Sequence, residues 1–172
     1  MIRKIVKYPS PVLTQKAKPI SEVTEEIRRL LDDMAETMYS ADGVGLAAPQ
    51  VGESVRAIVI DITGGEQSEQ DGLMKMVNPE IIERQGEIEY EEGCLSVPDM
   101  RVLMKRSERV KARYLDEKGL EHEIEAEGLL AVALQHEIDH LDGALIIDNV
   151  SRLKRNMYLA KRKKEDDHPV AL

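Results

Sequence analysis

The stretch Leu129-Leu130-Ala131-Val132-Ala133-Leu134-Gln135-His136-Glu137-Ile138-Asp139-His140-Leu141 decides the fold. Its opening residues are apolar on every side, and a helix of that kind lies in a core rather than on a surface. Two histidines and a glutamate are costly in such a place unless something partners them. On a helix, residues four apart sit one above the other. His136 and His140 can therefore reach one metal ion, and Glu137 can reach a water on it. A neutral imidazole suits zinc, iron, nickel or cobalt. The ion lowers the water's pKa towards about 7, and the carboxylate takes its proton.

Two histidines leave a third ligand to find. Long zinc-protease motifs place a histidine ten residues after the first, but that position is Ile146. No glutamate occurs between Leu141 and Lys164, where only Asp142 and Asp148 are acidic. The chain has one cysteine, Cys94. A thiolate is an excellent ligand for a divalent ion, and three protein ligands leave a fourth position for water. The bland alternative is an inert, buried small residue.

Cys94 sits in Glu91-Glu92-Gly93-Cys94-Leu95-Ser96-Val97-Pro98. Gly93 allows backbone near the ion that a Cβ would obstruct. The Leu95 N–H can point at an oxyanion. Otherwise the segment reads as a strand-to-loop junction. A second small-residue segment is Gly43-Val44-Gly45-Leu46-Ala47-Ala48-Pro49-Gln50. An extended substrate can add to such a segment as a strand, and Gln50 can offer its amide to the same oxyanion. It lacks the third glycine of a phosphate-binding loop, and by itself it is equally a helix end followed by a turn.

Outward from these segments, Thr24 to Ser40 carries Ile27, Leu30, Leu31, Met34 and Met38 at helical spacing, with Glu25 and Glu26 in the first turn. Val55 to Ile62 reads as a buried strand. Gly64 to Gly72 reads as a loop. Leu73 to Val77 and Glu80 to Glu83 read as strand pieces broken by Asn78-Pro79. Arg109 to Leu115 alternates as a half-buried strand, Asp116 to Gly119 turns, and Glu121 to Glu127 returns as its partner. Prolines at 9, 11 and 19 mark an irregular N-terminal arm. Ser151 can cap a last helix with Leu153, Met157 and Ala160 as its buried stripe. The order predicts an α+β fold. It is a single domain of mixed or antiparallel strands around the central buried helix, with a C-terminal surface helix. The domain is expected over residues 1–164, with a flexible tail at 165–172.

Composition fits this picture. A chain of 172 residues suits one domain, and 42% hydrophobic residues exclude a disordered segment. A net charge of −9 argues against nucleic acid as a partner. The stretch Ser151 to Lys164 departs from it, with seven cations (Arg152, Lys154, Arg155, Lys161, Arg162, Lys163, Lys164) and no acid. That is either a docking patch or a surface helix whose cations favour its C-terminal dipole. A single cysteine suits a reducing cytosol, and no apolar run is long enough to span a membrane.

Taken together, GVGLAAPQ (Gly43 to Gln50), EGCLS (Glu92 to Ser96) and QHEIDHLDG (Gln135 to Gly143) resemble the three signature motifs of the bacterial peptide deformylases, in that family's order. The resemblance covers roughly residues 2 to 160. It implies a cytoplasmic enzyme that removes the formyl group from nascent polypeptides beginning with N-formylmethionine. It also implies one divalent ion, iron(II) in the cell and often zinc, nickel or cobalt as isolated. Carried over by position, Cys94, His136 and His140 bind the metal and Glu137 activates water. The Leu95 N–H and the Gln50 amide polarise the formyl oxygen. Val44, Gly45 and Gly93 contact the peptide backbone. Val132 and Ala133, with Leu95 and the His136 ring, border the methionine pocket, and Arg101 contacts the peptide further along. The resemblance further implies that the basic helix at 151–164 docks on the ribosome. Two competing readings are a small metallopeptidase acting on ordinary peptide bonds and a structural zinc module. The first lacks its late His or Glu ligand, and the second normally carries four protein ligands.

Overall fold

A computed structural model describes residues 1–65 and 72–167. Helix α1 (Glu25–Ser40) starts where the Thr24 hydroxyl accepts the Ile27 N–H at 3.3 Å, and it ends at left-handed Asp42. Strands β1 (Gly45–Ala47), β2 (Ala57–Ile60), β3 (Met74–Gln85), β6 (Arg109–Leu115) and β7 (Glu121–Glu127) form an antiparallel sheet in the order β1-β2-β3-β6-β7. Strands β4 (Ile88–Cys94) and β5 (Val97–Arg106) make a separate hairpin. Helix α2 (Gly128–Leu141) follows β7 directly, turning on left-handed Gly128. Helix α3 (Arg152–Asp167) closes the described chain.

Helices α1 and α2 explain the sheet. Alternate side chains of a strand face opposite ways. Ile58 and Ile60 pack with Leu134, Ile138 and Leu141 of α2, whereas Ala57 and Val59 pack with Leu31, Met34 and Met38 of α1. Strand β2 is therefore buried on both faces, which is why its sequence is apolar without alternation. Each such isoleucine is worth roughly 2–3 kcal/mol in burial. A third cluster lies under the hairpin, where Val97, Met100, Val102 and Met104 meet Leu13, Ile146, Ile147 and Tyr158.

The expected α+β domain around a central buried helix is what the chain forms, with three departures in detail. First, β3 is one strand, not two pieces. Asn78 adopts the left-handed conformation, and its amide both donates to and accepts from Ile20 at 2.8 Å. The strand passes Asn78-Pro79 as a bulge rather than breaking. Second, the β4–β5 hairpin runs through residues 99–106, to which the sequence assigns no element. Third, the apolar stripe of α3 faces outwards: Leu153 and Met157 are 71% and 64% exposed. Tyr158 faces inwards instead, with its ring in the third cluster and its hydroxyl donating to the Pro98 carbonyl at 2.9 Å. One aromatic with a satisfied hydroxyl outweighs the thinner stripe. The Ser151 cap forms, its hydroxyl accepting the Lys154 N–H at 3.1 Å. Helix α3 runs on to Asp167, and residues 168–172 of the expected tail lie outside the described residues, as do 66–71 of the loop after β2.

Candidate metal centre

The hairpin and α2 meet at three donor atoms. His136 Nε2 and His140 Nε2, one turn apart on α2, are 3.2 Å from each other. Cys94 Sγ, at the end of β4, is 3.4 Å from His140 Nε2. All three ligand atoms lie within 4.8 Å of one another. Tetrahedral zinc-type bonds of about 2.0–2.3 Å place neighbouring ligand atoms roughly 3.3–3.7 Å apart, so this donor set fits one divalent ion. Burial pushes the pKa of His140 well down, with the charges on His136 and Arg106 adding to it, which favours the neutral ring, the form able to bind a metal. His136 goes the other way. Burial alone would lower it, but the Cys94 sulfur and the Glu92 carboxylate raise it well above the ordinary value. Surroundings that attract a proton to His136 also attract a metal cation.

The orientation of His136 is fixed from behind. Its Nδ1 bonds Glu92 Oε1 at 2.8 Å. Arg106 Nε and Nη2 donate to the two oxygens of Glu92 at 2.7 and 2.8 Å, and its Nη1 donates to Asp139. Burial would raise the pKa of Glu92, but Arg106 and His136 outweigh it and hold the carboxyl below its usual range. Such a carboxylate–histidine contact fixes the tautomer and aims the other ring nitrogen at the ion. Sequence reading missed Glu92, Arg106 and Asp139 as a group. The signal available was a buried-strand arginine facing a Glu-Gly-Cys segment.

Glu137 lies on the other side. Its Oε1 is 4.0 Å from His136 Nε2, and among the described residues its buried Oε2 has no hydrogen-bond partner. Burial raises its pKa to about 7, with the charge on His136 opposing and that on Glu92 assisting. Gly45 makes this arrangement possible. A Cβ there would stand 2.6 Å from Glu137 Oε1. Gln50 is buried, with its side-chain Oε1 accepting the Ala47 N–H at 2.9 Å. That bond turns its amide nitrogen to Ser96 Oγ at 3.1 Å and towards Cys94 Sγ at 3.7 Å.

A cleft of about 500 Å³ opens above these atoms. Every other candidate lines it: Val44, Gly45 and Gly93, Val132 and Ala133 with Leu95, and Arg101. Arg101 is exposed there and faces Glu91 at 3.8 Å. A second cleft of about 350 Å³, lined by residues of β3, β6 and β7, carries none of this chemistry.

The family model described as polypeptide deformylase matches residues 2–156. The chain belongs to the polypeptide deformylase family. It is a metal-dependent hydrolase of N-formylated peptides. A peptide deformylase of Thermodesulfovibrio yellowstonii is 54% identical over 162 residues, covering 94% of this chain and 97% of that one. One from Acidobacterium capsulatum is 51% identical, with 95% of each covered. Among solved structures, the peptide deformylase of Legionella pneumophila superposes with a TM-score of 0.89 at 47% identity, covering 98% of this chain and 99% of that one. That of Ehrlichia chaffeensis in complex with actinonin superposes with a TM-score of 0.87 at 37% identity, covering 95% and 97%. The deformylase fold thus covers both the hairpin and the helix that carry the three donor atoms.

Proposed function

We propose that Cys94, His136 and His140 hold one divalent ion at the floor of the cleft and that Glu137 is the general base of deformylation. The observation that carries this is the convergence of the three donor atoms beside a buried, unpartnered Glu137 oxygen. When bound, the ion supplies a Lewis acid that brings water near a pKa of about 7. Glu137 accepts the water's proton as the C–O bond to the formyl carbon forms. The Leu95 N–H and one Gln50 amide hydrogen stabilise the charge that develops on the formyl oxygen. The C–N bond then breaks, Glu137 returns the proton to the leaving amine, and formate and a free N-terminus result.

The substrate is a nascent chain beginning with N-formylmethionine. Its backbone runs as an added strand beside Val44, Gly45 and Gly93, its methionine side chain enters the apolar floor at Val132 and Ala133, and Arg101 meets the following residues. Iron(II) is the cellular ion, with zinc, nickel or cobalt able to replace it, because thiolate and imidazole accept all four. The thiolate makes the iron form oxygen-sensitive. Residues 1–164 act as one catalytic domain in the cytoplasm, and the cations of α3 dock it on the ribosome. No described helix is long and apolar enough to cross a membrane.

The test is formate release from a formyl-Met tripeptide by protein loaded anaerobically with iron(II) or nickel(II). Rapid release that stops on chelation is expected. Turnover of the unformylated peptide instead would favour an ordinary metallopeptidase.

A further inference from the structure

The N-terminal arm reaches both halves of the oxyanion site. The Val6 N–H donates to the Gln50 backbone carbonyl at 2.7 Å, and the Tyr8 N–H donates to the Ser96 backbone carbonyl at 2.8 Å. Residues two apart in an extended chain point their N–H groups the same way, so one edge of this short segment ties together two loops that are 46 residues apart. Between them, Lys7 Nζ donates to the Leu95 carbonyl at 3.0 Å. The Val6 and Tyr8 side chains pack into the third cluster beside Val97 and Cys94. Leu95 and Ser96 are the two residues of the β4–β5 turn, where Cys94 pairs with Val97. A two-residue turn has few bonds of its own. Here both of its carbonyls are held by the arm.

We propose that Val6–Tyr8 is a positioning strap for the oxyanion site and that Lys7 is the positioning residue that keeps the Leu95 amide aimed at the formyl oxygen. The inference rests on the oxyanion roles given above to Leu95 and Gln50. An oxyanion donor works only when held in place before the reaction, since reorienting it costs part of what it contributes. The Leu95 N–H belongs to the peptide unit joined to Cys94, which the metal ligand fixes at one end. Lys7 fixes the next carbonyl along, so rotation of the residue between them is restrained from both sides.

The test compares Lys7→Met, which keeps the stem and loses the donor, with Lys7→Arg, which restores one. In nickel-loaded protein acting on a formyl-Met tripeptide, kcat of Lys7→Met falls about fivefold, well short of the ~10²-fold cost of deleting an oxyanion donor. KM, melting temperature and nickel content stay at parental values, and Lys7→Arg recovers most of the rate. In zinc-loaded protein the Leu95 amide resonance is sharp in the parent and broadened by exchange in Lys7→Met. Unchanged kcat and line width in Lys7→Met would overturn the proposal, as would a rate loss that tracks lost nickel or a lower melting temperature. A parent that releases no formate would overturn the oxyanion reading itself, which the amide line widths keep distinct from failure of the strap.

Discussion

The candidate metal centre and helix α3 both adjoin the β4–β5 hairpin, through Cys94 and through the Tyr158–Pro98 contact, and are built in opposite ways. At the centre, His136 and Gln50 are each held by a second group. Glu92 holds His136, Arg106 holds Glu92 with two bonds and Asp139 with a third, and Ser96 holds the Gln50 amide. Helix α3 is anchored chiefly by Tyr158, while Leu153, Met157 and most of its cations face water. A buried network of charges is costly to leave half-made, so it specifies one geometry. An exposed helix with loose anchoring specifies little about itself and is free to meet a partner. The difference predicts where substitutions matter.

The largest effect on stability is expected at Arg106. Arg106→Met leaves the Glu92 carboxylate buried without its bidentate partner, and it should destabilise the protein by about 3–5 kcal/mol in denaturant titrations. Acid should expose the same network. The folded pKa of Glu92 lies below its ordinary 4.5, so its contribution is present above that value and is lost as pH falls through the lower folded value. Glu92→Gln should therefore flatten the acid limb of the stability profile. A limb identical to the parent's would remove Glu92 from the account.

Gly45→Ala comes next. A methyl group 2.6 Å from Glu137 Oε1 must displace the carboxylate. Loss of roughly 10²-fold in kcat is expected, with metal content unchanged, because misplacement by about 1 Å costs that much. The smallest effect belongs to α3: Leu153→Ser should change stability by less than about 0.5 kcal/mol and leave kcat alone. A large loss there would break the contrast between the two regions.

The same contrast governs what was legible in the sequence. His136, Glu137 and His140 could be read together because a helix turns spacing into proximity within five residues. Cys94 followed by elimination, as the one thiol. The role of Glu92 is not legible in the sequence, since its partners are 14 and 44 residues away. Asn78 read as a strand breaker because its stabilising contact with Ile20 is 58 residues distant. The buried face of α3 is hidden from the sequence for a similar reason. Its periodicity favours Leu153 and Met157, but the deciding contact is between Tyr158 and Pro98, 60 residues apart. Periodicity finds faces when burial of area decides, and it fails where one long-range hydrogen bond does.

The most direct test of the central claim measures two quantities on Glu137→Gln: bound metal per chain and formate released from a formyl-Met tripeptide. Gln keeps the size of Glu and loses the base, while the three proposed ligands stay intact. The account predicts one equivalent of metal and a fall in kcat of about 10²–10⁴-fold, the usual cost of losing a general base. Parental turnover with metal bound would contradict the assignment of Glu137 and reopen the chemistry of the site.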